Sequence, residues 1–104
     1  LDTRESAPVL GGETRTYQAA TSPIPATATA VVANVTAVDT WIQSFVTVWP
    51  SGSNQPVAST LNPRPGLPIP NQAYLRLGSG GSLNLYNSSG ATNLIVDVFG
   101  YFTN

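Results

Sequence analysis

Nine prolines and nine glycines cut this chain into short pieces, and that punctuation constrains its fold more than any other feature. No stretch carries helical periodicity. Between the breaks run short segments rich in Val, Thr and Ile, which suit strands. The strands predicted are Thr14–Ala19, Ala28–Val38, Ile42–Trp49, Val57–Leu61, Asn71–Leu77, Ser82–Asn87 and Asn93–Phe99. Proline lacks the ladder donor a central strand needs, so TSPIP (Thr21–Pro25), PSGSNQP (Pro50–Pro56) and NPRPGLPIP (Asn62–Pro70) are loops. GSGG (Gly78–Gly81) and NSSG (Asn87–Gly90) read as hairpin turns. About seven to eight short strands at this spacing predict an all-β fold, an antiparallel β-sandwich of jelly-roll-like form. The 104 residues make one domain, 1–104, large enough for a core without metal or disulfide staples.

The scarcity of charge narrows function. Four arginines, no lysine and five acids leave a net charge of −1, which gives no electrostatic footprint for nucleic acid and no polybasic membrane patch. Cysteine, methionine and histidine are absent, so a disulfide framework, a thiolate metal site and a His-based nucleophile pair are all excluded. No Asp-rich run supports a calcium loop, and no cofactor is expected. No apolar run is long enough to span a membrane. Abundant Thr, Ser and Asn with little to oxidise points to a secreted surface module. The abrupt start at LDTR and the end just after GYF predict one module of a longer secreted protein.

Strand parity places the candidate binding residues. In YLRL, Leu75 and Leu77 face the core while Tyr74 and Arg76 face out; in LNLYN, Leu83 and Leu85 face in while Asn84 and Tyr86 face out. A hairpin at GSGG that keeps Leu opposite Leu pairs Arg76 with Asn84 and Tyr74 with Tyr86, gathering two phenols, a guanidinium and an amide on one outer face. Trp41 stands in a turn after Val38-Asp39-Thr40, where an exposed ring is a platform for the C–H face of a sugar or an anchor for a protein. Trp49, before Pro50-Ser51-Gly52, is expected to pack at the sandwich edge. Asn34-Val35-Thr36 and Asn87-Ser88-Ser89 match the N-glycosylation pattern, the first of them mid-strand.

Asp97 sits in the apolar run LIVDVFGYF (Leu94–Phe102), on the face shared by Ile95 and Phe99. Both faces of that strand look apolar, which predicts a central, covered strand. A buried carboxylate normally finds a cation. Arg4 lies at the other chain end, and the ends of compact domains often meet. An Arg4–Asp97 pair closing the module is therefore expected. A catalytic Asp97 would need a second carboxylate, and Asp2, Glu5, Glu13 and Asp39 all fall in termini or turns, so the chain is not expected to be an enzyme.

Taken together, LDTR, GGETRTYQ, PATATAVVANVTAV, FVTVWPSG, VASTLNPRPGLPIPN and LRLGSGGSLNLYNSSGATNLIVDVFGYF resemble a repeated module of secreted and cell-surface proteins of actinobacteria. The resemblance covers Leu1 to Phe102. It implies a β-sandwich accessory module, found in tandem or appended to secreted hydrolases, peptidases and cell-wall enzymes. LDTR and VDVFGYF fall on Asp2, Arg4, Asp97, Gly100 and Tyr101, at the two chain ends. The chain departs from the pattern at Thr40–Gln43 and at Gln72–Tyr74, which singles out Trp41 and Tyr74. The expected function is non-catalytic binding of a neutral polysaccharide or cell-wall glycan through Trp41, Tyr74, Arg76, Asn84 and Tyr86, beside a catalytic domain of the same chain. The alternative is a structural spacer or adhesive repeat with no small ligand.

Overall fold

The computed structural model describes residues 1–104. Seven strands form: β1 (Val9–Leu10), β2 (Thr14–Gln18), β3 (Ala28–Val38), β4 (Val46–Pro50), β5 (Ile69–Arg76), β6 (Ser82–Asn87) and β7 (Ala91–Thr103), with 3-10 turns at Thr3–Glu5 and Ser79–Gly81. They build the expected sandwich of two antiparallel sheets, ordered β1-β7-β3-β5 and β2-β6-β4. The odd strands make one sheet and the even strands the other. Every connection therefore crosses between sheets, which is jelly-roll winding.

Alternation builds the core. Val31, Ala33, Val35 and Ala37 of β3 are fully buried, and Leu94 and Val96 of β7 lie beside them. Leu83 and Leu85 of β6 and Val46 and Val48 of β4 meet them from the opposite sheet. Burying each leucine contributes roughly 1.5–3 kcal/mol by transfer from water.

Two expected hairpins do not form. β5 pairs with β3, and β6 pairs with β2 and β4, so GSGG carries the chain from one sheet to the other. NSSG does the same between β6 and β7. Leu75 and Leu85 do face one core, but from opposite walls. Gly78 lies so close to the backbone of Ser51 that any Cβ there would collide with it, and Gly81 takes φ +82 against Ala20. Those contacts hold the crossing in place.

Strand limits shift where donors are spent elsewhere. Ile42–Phe45 stays outside β4, because Ser44 N donates to Pro63 O and Phe45 N to Ser88 Oγ. Val57–Leu61 is not a strand. Only Leu61 bridges β4, at Val46, and the hydroxyl of Thr60 accepts from Val48 N in place of a ladder carbonyl. β5 begins at Ile69 and includes Pro70, which an edge strand tolerates. β7 runs longer at both ends than expected, and β1 adds a two-residue strand beside it.

The chain ends meet, but not through Arg4 and Asp97. Arg4 forks onto Asp2, with Nη2 2.7 Å from Oδ2 and Nε 3.0 Å from Oδ1. Asp97 is exposed, level with Asn34 on the outer face of β3. The alternation in β7 holds; the outer face is simply open, and a solvated carboxylate needs no cation. Backbone closes the module instead. Val96 N donates to Leu1 O at 2.8 Å, Leu1 N donates to Val96 O at 3.2 Å, and Asp2 bridges Ile95. The buried Thr3 hydroxyl accepts from Leu94 N at 2.8 Å and donates to Asn93 Oδ1 at 2.9 Å.

Candidate functional site

In FVTVW, Val46 and Val48 point into the core, so Phe45, Thr47 and Trp49 fall on the other face of β4. The largest concavity of the molecule, about 540 Å³, opens there. Phe45 and Thr47 line one side, and the strap Gln55–Ser59 with Asn62 lines the other.

Specific bonds fasten the strap. Thr47 Oγ1 donates to Ala58 O at 3.1 Å, Thr60 N donates to Val46 O at 2.7 Å, and Val46 N donates to Leu61 O at 2.9 Å. Trp49 is buried, and its indole N–H donates to Ser53 O at 3.1 Å. It packs structurally, as expected for it.

Phe45 is set by a buried polar corner. Asn87, fully buried, donates from Nδ2 to Val9 O at 3.0 Å and to Gly90 O at 3.2 Å, while its Oδ1 accepts from Ser44 Oγ. Ser88 Oγ bonds Ser44 Oγ and accepts from Phe45 N, both at 2.9 Å. The Asn87-Ser88-Ser89 motif is therefore a structural corner with no accessible amide. Tyr86, level with Thr47 on the neighbouring strand, packs its ring against Phe45 with centroids 5.9 Å apart and planes tilted by 47°.

The groove joins the Phe45 ring, which Tyr86 supports from behind, to the amides of Gln55 and Asn62 and the hydroxyl of Ser59. No ionisable side chain lines the groove. The perturbed groups lie elsewhere. The Arg4 side chain bonded to Asp2 lowers the Asp2 carboxyl, the Leu10 N–H lowers that of Glu13, and burial raises the Tyr17 phenol. Stacking and directed neutral hydrogen bonds are what this groove offers.

The predicted face of four residues divides between the two sides of the sandwich. Tyr86 and Asn84 share the outer face of the three-stranded sheet. Tyr86 adjoins the groove; Asn84 Oδ1 accepts from Thr16 Oγ1 at 2.9 Å and Ser51 Oγ at 3.0 Å, which ties down the β4–β5 connection. Tyr74 and Arg76 project from the outer face of the other sheet, where Tyr74 meets Phe102 edge-on at 5.5 Å. Trp41 is 70% exposed on the crossing from β3 to β4, anchored by its backbone N–H to Ala91 O at 3.0 Å. The turn is there, but it joins two sheets and is not a hairpin.

Phe45, Gln55 and Asn62 were not among the residues expected from sequence. The alternation of FVTVW carried a signal for Phe45, since it sets that ring on the face of Thr47 and Trp49. The two amides lie in proline-bounded loops, where no periodicity marks them. The chain matches no known family model, and no curated protein resembles it significantly.

Proposed function

We propose that this chain is a non-catalytic accessory module of a secreted actinobacterial protein that binds a neutral polysaccharide or cell-wall glycan. One observation carries the reading: the largest groove is uncharged and sets the Phe45 ring, backed by Tyr86, together with the Gln55 and Asn62 amides. A sugar ring presents C–H groups on its faces and hydroxyls around its rim. Rings receive the first and amides the second. The resemblance to repeated modules of secreted hydrolases supports a role that holds a catalytic neighbour near its polymer.

The test is retention of the 104-residue chain on insoluble chitin, cellulose, xylan, α- and β-glucans and actinobacterial cell wall. Tyr86→Ala and Gln55→Ala should each reduce retention on the polymer that binds. Trp41→Ala tests the exposed ring on the sheet crossing in the same assay. Failure of every polymer to retain the wild-type chain would refute the reading.

A spacer or adhesive repeat is the second reading. The exposed Trp41 and Ile42 favour it, because two large apolar side chains on a sheet-crossing loop suit contact with a neighbouring module. Retention lost in Trp41→Ala but kept in Tyr86→Ala would move the glycan contact to that loop.

A further inference from the structure

The side chains that line the groove beside β4 narrow the class of glycan it takes. Its polar groups are Gln55, Ser59 and Asn62, all exposed, and none of the three bonds to another group of the protein. Several other amides of the chain are spent. Asn71 donates to Thr60 O, Asn84 accepts from Thr16 and Ser51, Asn87 holds Val9 O and Gly90 O, and Asn93 donates to Asp39. An unspent carboxamide offers a donor and an acceptor side by side. Between Gln55 and Ser59 the strap carries three apolar residues in a row, Pro56, Val57 and Ala58, each exposed and each lining the groove. Val57 is fully exposed, so its methyl groups bury against nothing in the folded chain. On the facing side the Thr47 hydroxyl is spent on Ala58 O. Free amides therefore stand beside uncovered apolar groups. The strap that carries most of them is held by Thr60 N to Val46 O and by Val48 N to the Thr60 hydroxyl, so little order remains to be gained on binding.

We propose that this groove recognises a 2-acetamido sugar, so that the polymer is an N-acetylated glycan. The proposal rests on the glycan reading above and names its substrate class. An acetamido group is a secondary amide that ends in a methyl. Its N–H and C=O match the acceptor and donor of a carboxamide such as Gln55 or Asn62. Its methyl leaves water against the apolar run of the strap and the Phe45 ring.

The other sugar classes use the lining less fully. A plain hexose satisfies the amides with hydroxyls and has no methyl for Pro56–Ala58. A 6-deoxyhexose brings a methyl without an amide. A uronic acid or a free amino sugar brings a charge, and no ionisable side chain lines the groove to pair with it.

The probes are tri-N-acetylchitotriose, cellotriose and fully deacetylated chitotriose, each titrated into the 104-residue chain by calorimetry. The three share one β-linked backbone and differ only at carbon 2. The acetylated trimer should bind at least about tenfold more tightly than either of the others, because a site built to hydrogen-bond one group rejects the analogue that lacks it. Val57→Ser should weaken that trimer about fourfold, the worth of one methyl group taken out of water, and leave the Tm unchanged. Asn62→Asp and Gln55→Glu, which remove the amide donors, should narrow the preference over cellotriose. Equal binding of the acetylated trimer and cellotriose would overturn the acetamido assignment and leave the glycan reading standing. Tighter binding of the deacetylated trimer would overturn it too. So would an acetyl preference that Val57→Ser, Asn62→Asp and Gln55→Glu all leave untouched, since the site would then lie elsewhere. No binding of any trimer, with no retention on any polymer, would remove both the assignment and the glycan reading.

Discussion

Replacing Thr3 by Val tests how the two ends of the chain are joined. Thr3 is fully buried, and its hydroxyl accepts from Leu94 N at 2.8 Å and donates to Asn93 Oδ1 at 2.9 Å. Valine keeps the volume and the β-branched shape, so no cavity opens. What changes is polar satisfaction. The Asn93 amide is half-buried and can turn to water, but Leu94 is fully buried and its N–H loses its acceptor. A stranded buried donor costs about 1–3 kcal/mol, so a loss near 2 kcal/mol is expected. For 104 residues that corresponds to a fall in Tm of about 9 °C. Thr3→Ser keeps the hydroxyl and removes one methyl, for about 1 kcal/mol. Urea unfolding followed by fluorescence measures both, because Trp49 is 6% exposed and reports the transition while Trp41, 70% exposed, contributes little. A Thr3→Val variant within about 0.5 kcal/mol of wild type, the range of a surface change, would refute the closure by Thr3.

Asp97→Ala should change stability by no more than about 0.5 kcal/mol in the same urea assay, since the carboxylate is solvated; a loss of several kcal/mol would mean a buried partner after all. Asn87→Ala should cost about 3 kcal/mol, because it removes the side-chain donor to Val9 O and Gly90 O and one acceptor of the Ser44 hydroxyl and leaves a void; calorimetry showing a near-neutral effect would contradict the polar corner. Leu10 N–H and Arg15 hold the Glu13 carboxyl below its ordinary value of 4.5, so its stabilisation is full above that pH and is lost as the pH falls through the folded value. Thermal melts from neutral to acid pH should show a shallower acid decline in Glu13→Gln than in wild type, and an unchanged slope would assign that decline to other carboxyls. At the alkaline end the raised Tyr17 phenol acts with the opposite sign, and its stabilisation is lost as the pH climbs past the ordinary value of 10.0; Tyr17→Phe should flatten that limb of the melts.

Period and punctuation in the sequence determined much of this protein. Ala28–Val38 and Ser82–Asn87 fold as strands with the limits that their β-branched runs and flanking breaks imply. The inward faces of Leu83 and Leu85, and the sharing of one face by Leu94 and Val96, follow from alternation, because successive side chains on a strand must point to opposite sides. The exposure of Trp41 and the packing of Trp49 were legible for the same local reasons. Near-absence of charge was legible too, and the uncharged groove is its consequence.

Tertiary structure alone decided which strands are neighbours. Alternation says that Leu75 and Leu85 face a core, but a core has two walls, and the requirement is met equally by strands side by side or face to face. The protein uses the second arrangement at every connection, which separates Tyr74 and Arg76 from Asn84 and Tyr86. The same blindness affected Asp97. Apolar residues on both sides of a strand imply burial only if something covers both sides, and here the outer face lies open. The groove beside Phe45 was the least legible feature. It depends on a strap that pairs with β4 through the hydroxyls of Thr47 and Thr60, side-chain bonds between residues more than ten positions apart that leave no period in the chain.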